Sequence, residues 1–221
     1  MDFSQARDHM VEAQIARRGV RDSKILDAMR SVPREFFVAE RFRAFSYEDG
    51  PLPIAEGQSI SQPYVVAAML EAAELEADDQ VLEIGAGSGY AAAILSRIVR
   101  KVYAVERQAA LGQAARERLR ALGYDNVELK TGDGSGGWPQ AAPFDAIIVS
   151  AASPSIPQAL KIQLAVGAHL VIPVGTMDEQ RLIRVTRVDE TQFQQDDLGP
   201  VRFVKLIGAS GWDDSETLPS R

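Results

Sequence analysis

The chain has 221 residues, 46% of them apolar and 25% charged, with a formal net charge of −7. That length and composition suit one soluble compact domain, with or without an extension, and the acidic balance argues against a nucleic-acid surface. With no cysteine and only His9 and His169, disulfides and thiolate chemistry are excluded, and neither a metal site nor a Ser-His-Asp triad is expected.

Two helical patterns open the chain. Residues 4–18 place Met10, Val11, Gln14 and Ile15 on one side ahead of Gly19, and residues 22–31 start at Asp22, a candidate cap, and stop before Pro33. A long punctuated stretch follows, with Gly50, Pro51, Pro53, Gly57 and Pro63 among apolar and aromatic residues. Loops of that length in a compact domain are usually functional. Helical spacing resumes from Pro63 to Leu75. Strand and helix patterns then alternate, with strands expected at 81–84, 102–106, 127–131, 144–150 and 170–174. Helices fall between them near 89–99, 108–122 and 156–165. Two last strands, near 181–188 and 201–207, have no helix between them. This order implies a doubly wound, mostly parallel α/β sheet of seven strands with an antiparallel terminal strand. Arg116, Arg118 and Arg120, interrupted by Glu117, suit the outer face of a helix. His169, inside an apolar strand pattern, reads as structural.

Between the first of these strands and its helix lies Glu83-Ile84-Gly85-Ala86-Gly87-Ser88-Gly89. Glycine admits left-handed backbone and close approach of a ligand, and a strand–turn–helix of this kind places phosphate or nucleotide groups at a helix start. A dinucleotide fingerprint needs its third glycine at position 90, where Tyr90 stands. The Gly-x-Gly-x-Gly spacing with Glu83 before it resembles motif I of S-adenosylmethionine-dependent methyltransferases. Glu106 closes the next strand about 20 residues on, where a carboxylate can accept both ribose hydroxyls. In such a fold Asp133, within Gly132-Asp133-Gly134, can reach an adenine amino group, although Asp-Gly is also a common turn pair.

Over residues 5–208 the chain resembles the protein-L-isoaspartate O-methyltransferase family. The resemblance is carried by Val32 to Val38, Pro51 to Ile54, Gly57 to Pro63, Val81 to Tyr90, Gly132 to Gly134, Phe144 to Ala152, Pro173 to Gly175 and Val201 to Val204. Gly57 to Pro63 is the specific segment, because generic methyltransferases lack it. The resemblance implies S-adenosylmethionine as cofactor, held by Glu83, Gly85, Ala86, Gly87, Gly89, Glu106, Gly132, Asp133 and Gly134. It implies Ser61 as the catalytic hydroxyl, with Ile60, Ser61 and Gln62 at the substrate. The implied substrates are isoaspartyl-containing peptides and proteins. Methylation of the L-isoaspartyl α-carboxylate, or the D-aspartyl β-carboxylate, starts repair through a succinimide. Such a carboxylate is already ionised at neutral pH, so the reaction needs positioning more than a base or a metal. A helix N-cap ahead of Pro63 is a competing role for Ser61.

The chain departs from the family at Ser153, at Ala168-His169 and at Lys205, which bears on substrate preference more than on reaction type. The other readings are a methyltransferase of the same fold acting on a small molecule, and an inactive S-adenosylmethionine-binding module. An NAD-dependent oxidoreductase is disfavoured by Tyr90. The expected organisation is an N-terminal helical and substrate-loop extension (1–76), a cofactor domain (77–211) and a flexible tail (212–221). A monomer in the cytoplasm is expected, with no nucleic-acid or membrane partner, since no apolar run approaches the ~18 residues of a membrane span.

Overall fold

A computed structural model describes residues 3–213. Helix α1 (Phe3–His9) runs on through a π-helical turn (Met10–Ile15) and a 3-10 turn (Ala16–Arg18), stopping at Gly19 with φ +110°. Helix α2 (Ser23–Ser31) is capped by Asp22, whose carboxylate accepts from the Lys24 N–H at 2.8 Å. Two-residue strands β1 (Leu52–Pro53) and β2 (Ser59–Ile60) pair antiparallel within the punctuated stretch. Helix α3 (Pro63–Ala72) starts on proline, where a missing N–H is harmless.

The alternating part follows as β3 (Gln80–Ile84), α4 (Tyr90–Leu95), β4 (Lys101–Glu106), α5 (Ala109–Ala121), β5 (Val127–Thr131), β6 (Phe144–Val149), α6 (Gln158–Lys161), β7 (Leu164–Gly175), β8 (Gln180–Arg187) and β9 (Phe193–Val201). The seven-stranded sheet has the order β5-β4-β3-β6-β7-β8-β9. Pairing is parallel from β5 to β7 and antiparallel on both sides of β8. Only β8 is therefore reversed, next to the terminal edge strand. From β3 the chain winds outward to β5 and then returns to β6 on the other side. The order thus reverses beside the carboxyl end of β3, where ligands bind in open α/β sheets.

Alternation along the strands divides the core. Val81, Ala146 and Ile148 face the cluster shared with the N-terminal helices, which contains Met10, Ile25 and Leu70. Leu82, Ile84, Ile147 and Val149 face the opposite cluster around Phe144, Leu160 and Leu164. The N-terminal extension thus packs into the same core as one face of the sheet.

One expected strand is misplaced. The last strand is Phe193–Val201, and 202–207 is an irregular segment with isolated bridges from Lys205 to Ala152 and from Ile207 to Trp212. Both faces of this edge strand are exposed or half-exposed, so Phe-Gln-Gln-Asp-Asp carries no apolar alternation. The apolar-rich segment Val201 to Ile207 instead buries Phe203 and Leu206 against the body. The sixth helix shrinks to four residues because β7 begins at Leu164. The expected tail lies outside the described residues from 214 onward. Trp212 itself is tied down, its backbone N–H donating to the Leu206 carbonyl at 2.7 Å and its indole Nε1 to the Ala152 carbonyl at 3.0 Å. Among the described residues no helix is long and apolar enough to cross a membrane.

Candidate active site

Three connected spaces open at the carboxyl end of β3. The first is a cleft bounded by Gly85, Gly87, Glu106, Gly134, Ser150 and the segment Val204 to Ile207. The second is a groove between Ser61, Gln62, Val65 and the Pro200–Val204 segment. Between them a smaller gap brings Ile60 and Ser61 to Glu83, Ala86, Gly87 and Tyr90. Ser59 and Ser150 border all three. They are the residues through which one compartment communicates with the other.

The glycine turn has the conformation its sequence demands. Gly85, Gly87 and Gly89 have φ values of +84°, +55° and +86°, in the left-handed region that other residues rarely enter. Their roles differ. Gly85 and Gly87 border the cleft, whereas a Cβ on Gly89 would press on Leu119 at 3.3 Å and Ala115 at 3.4 Å, so Gly89 lets α5 pack against the turn. The Ser88 carbonyl accepts from Arg118 Nη1 at 2.7 Å, and Arg116 Nη2 donates to the Leu129 carbonyl at 3.0 Å. Those two arginines therefore brace backbone instead of simply lining a solvent face.

Glu106 is buried at the end of β4 and grips the turn. Oε2 accepts from the Gly87 N–H and Oε1 from the Gln108 N–H, both at 2.8 Å. Each oxygen retains a lone pair for a hydroxyl. The Glu106 carbonyl also accepts from the Gly132 N–H at 2.9 Å, which joins the ends of β4 and β5. Gly134 borders the cleft, and a Cβ there would meet Ile84 Cγ2 at 2.6 Å. Asp133 is turned differently from its neighbours. Its carboxylate accepts from the Ser135 and Ala209 N–H groups, each at 2.8 Å, and borders an adjoining hollow with Arg107 and Ile207. These backbone donors hold its carboxyl below the usual range even though burial opposes them. Asp133 thus fastens the 204–212 segment that covers one side of the cleft.

Glu83 has the least comfortable environment. It is 1% exposed and its Oε2 has no partner. Burial, with the nearby Glu106 charge second, pushes its carboxyl well above the usual carboxylate range. An orphaned acid facing a gap beside a glycine cradle is a fitting arrangement for a ligand carrying positive charge. A raised pKa in the folded state means that the native protein binds more protons than the unfolded chain. Stability from this group is then full below the ordinary glutamate range and declines as pH rises toward the folded pKa. Glu83→Gln is expected to raise Tm at neutral pH, with the gain over wild type closing as pH falls below about 4.5. Equal Tm values for the two proteins across that range would contradict this account of Glu83.

Ser61 follows β2, and its carbonyl accepts from Arg34 Nη2 at 2.8 Å. The cap residue of α3 is Gln62, not Ser61, and its side chain makes no capping bond. Gln62 instead donates to Asp49 Oδ1 at 2.8 Å. The expected capping role of Ser61 is thereby overturned, because α3 starts at Pro63 as expected and its cap is the residue directly before it, Gln62. Ser61 borders the groove and the inner gap. Sequence reasoning missed Ser59, Ser150, Arg34 and the 204–207 covering segment. Serines carry little signal by type, although Ser150 ends an apolar strand where a ligand site is expected.

Among the departures from the family pattern, Ser153 is fully buried with its hydroxyl unpaired. His169 is structural as expected, with Nδ1 3.0 Å from Thr186 Oγ1 in the β7–β8 pair.

A glycine turn at the switch point, with an acid near the end of the strand before it and another at the end of the next strand, defines the class of Rossmann-like S-adenosylmethionine-dependent methyltransferases. The family model for protein-L-isoaspartate(D-aspartate) O-methyltransferase matches residues 5–211. The protein-L-isoaspartate O-methyltransferase of Methylorubrum extorquens is 56% identical over 213 residues, 96% of this chain and 93% of its own length. A Pelobacter propionicus protein of the same name is 56% identical over 207 residues, 93% and 92% of the two chains. Among solved structures, a protein-L-isoaspartate O-methyltransferase aligns with TM-score 0.85 at 28% identity, covering 93% of this chain and 67% of that one. A Plasmodium falciparum structure described as a β-aspartate methyltransferase with S-adenosyl-L-homocysteine aligns with TM-score 0.79 at 25% identity, covering 91% and 98%. The chain belongs to the protein-L-isoaspartate(D-aspartate) O-methyltransferase family.

Proposed function

We infer that this chain methylates the α-carboxylate of L-isoaspartyl residues, and the β-carboxylate of D-aspartyl residues, in damaged proteins, the first step of repair through a succinimide. Family membership supports the reaction. The observation that carries the site is the junction at Ser59, Ser61 and Ser150, where the cleft of the glycine turn meets a separate groove on which an acceptor peptide could lie.

Residues fitted to hold S-adenosylmethionine are Gly85, Ala86 and Gly87 through their backbone, Glu106 toward the ribose hydroxyls, and Gly134, which borders the same cleft. Glu83 faces the gap as an unpaired acid, suited to the cationic end. Asp133 acts on the same region by fastening its cover. When bound, S-adenosylmethionine supplies an electrophilic methyl group. The acceptor carboxylate needs no deprotonation at neutral pH. The work left to the chain is to orient that carboxylate, hold it in line and keep water out. The Ser61 hydroxyl, flanked by Ile60 and Gln62, does this with a neutral donor. A cationic clamp would bind the carboxylate more tightly and blunt its attack. A monomer in the cytoplasm is proposed with this function.

The decisive test is methyl transfer to a peptide containing L-isoaspartate, compared with the same peptide containing L-aspartate. Activity on the first alone is expected, and equal or absent activity on both would reject the reading. Glu106→Gln is expected to weaken S-adenosylhomocysteine binding by about 1–3 kcal/mol. The amide replaces one acceptor oxygen with a donor that faces the Gly87 or Gln108 N–H. An unchanged Kd by titration calorimetry would remove Glu106 from the cofactor site.

A further inference from the structure

A fully buried cation stands behind the acceptor loop. Arg34 lies in the 3-10 turn Arg34–Phe36 with no exposed surface. Its Nε donates to the Ser46 carbonyl and its Nη2 to the Ser61 carbonyl, both at 2.8 Å, while Nη1 has no partner. The guanidinium carbon sits 4.6 Å from the centre of the Tyr90 ring. No carboxylate among the described residues forms an ion pair with Arg34. The adjacent acid, Glu35, is engaged by Arg7 and the Tyr47 hydroxyl instead. Burying a charge without a counter-ion is unfavourable, so two carbonyls and an aromatic face are a poor reason for arginine on stability grounds alone.

What the guanidinium joins gives it another reason. Ser46 belongs to the N-terminal extension, Ser61 to the acceptor loop, and Tyr90 is the first residue of α4, directly after the glycine turn. Ser61 and Tyr90 border the same gap. The loop has few other restraints, since β1 and β2 pair over only two residues each and Gln62 is anchored at Asp49. A planar fork that donates in two directions while stacking on a ring is available to arginine and not to lysine.

We propose that Arg34 is a positioning residue for methyl transfer, clamping the acceptor loop at the Ser61 carbonyl against Tyr90 so that the loop keeps its distance from the cofactor turn. It touches neither substrate nor cofactor and acts through the loop. The part of this inference that concerns the Ser61 hydroxyl rests on the role given to Ser61 above.

Arg34→Lys, Arg34→Gln, Ser61→Ala and the Arg34→Lys/Ser61→Ala double variant test it. Whichever Arg34 variant remains folded by circular dichroism is read, and lysine, retaining charge and length, is the conservative choice. Affinity for S-adenosylhomocysteine is expected within about twofold of wild type, with kcat on an isoaspartyl peptide reduced about ten- to a hundredfold and KM little changed. Amide hydrogen exchange is expected to rise across residues 57–62. The double variant should turn over no slower than the slower single one, because residues acting as a unit are non-additive. Unchanged exchange at 57–62, or wild-type kcat in the folded Arg34 variant, overturns the proposal, as does a multiplicative loss in the double variant. If Ser61→Ala is fully active while the Arg34 variant loses both turnover and protection, the Ser61 role fails and the clamp stands.

Discussion

Gly87→Val is expected to leave a folded protein that no longer binds S-adenosylhomocysteine. Gly87 has φ +55°, where a β-branched residue is a true outlier. The left-handed conformation alone disfavours an ordinary side chain by roughly 1–2 kcal/mol. A further loss follows if the turn relaxes, because the Gly87 N–H is one of the two donors that hold Glu106. The surrounding protein leaves room for a Cβ, with Ile54 Cδ1 3.5 Å away. The turn can therefore accept the atom, and the branches fill space that the ligand needs. Together these effects predict at least a hundredfold weaker binding, about 2.7 kcal/mol. Gly87→Ala, which adds the backbone penalty without the branches, should fall between wild type and valine. Wild-type affinity in a folded Gly87→Val protein would place the cofactor elsewhere.

The features legible in the sequence are those tied to period and spacing. Strands β3 and β6, buried on both faces apart from Gln80 and Asp145, read as apolar runs broken only by Glu83 and Asp145, and β5 falls at the residues expected of it. The glycine turn was legible because positive φ at three alternate positions leaves little choice of residue. Strand β9 was not, since its pairing is made by backbone and its side chains are exposed or half-exposed. The segment after it shows the converse. Val201 to Ile207 is apolar enough to read as a strand, yet it covers a cleft and buries Phe203 and Leu206, three positions apart, and apolar content reports burial without saying whether a neighbouring strand exists.

The site was legible in its acids and glycines and much less so in its support. Glu83 and Glu106 stand out as charges closing or interrupting apolar runs. Arg34 gives no such signal, because an arginine in Val32-Pro33-Arg34-Glu35 reads as a solvated turn residue. Its burial arises only when residues 46, 61 and 90 converge. Asp133 was legible as a site residue, but not its attachment to the Ala209 N–H, a partner 76 positions away. Long-range backbone contacts of this kind have no local signature.

Ser61→Ala is expected to lower kcat and kcat/KM on an isoaspartyl peptide together, by about ten- to a hundredfold. Removing a donor that stabilises growing charge costs 10²–10³-fold in typical cases, which sets an upper bound of about that size here. Methyl transfer moves the other way, since the acceptor carboxylate loses charge as the new bond forms. The hydroxyl then contributes mainly by orientation. Because Gln62 occupies the cap of α3 without a capping bond, alanine removes no cap, and stability should stay within about 0.5 kcal/mol of wild type. Cofactor affinity should be unchanged, since Gly85, Gly87 and Glu106 are untouched. Ser61→Thr separates the hydroxyl from its placement, because it keeps a donor while adding a methyl group at the mouth of the gap. Turnover between alanine and wild type is expected for it. A folded Ser61→Ala enzyme working at the wild-type rate would move the orienting role to Ser59 or Ser150, the other hydroxyls at the junction.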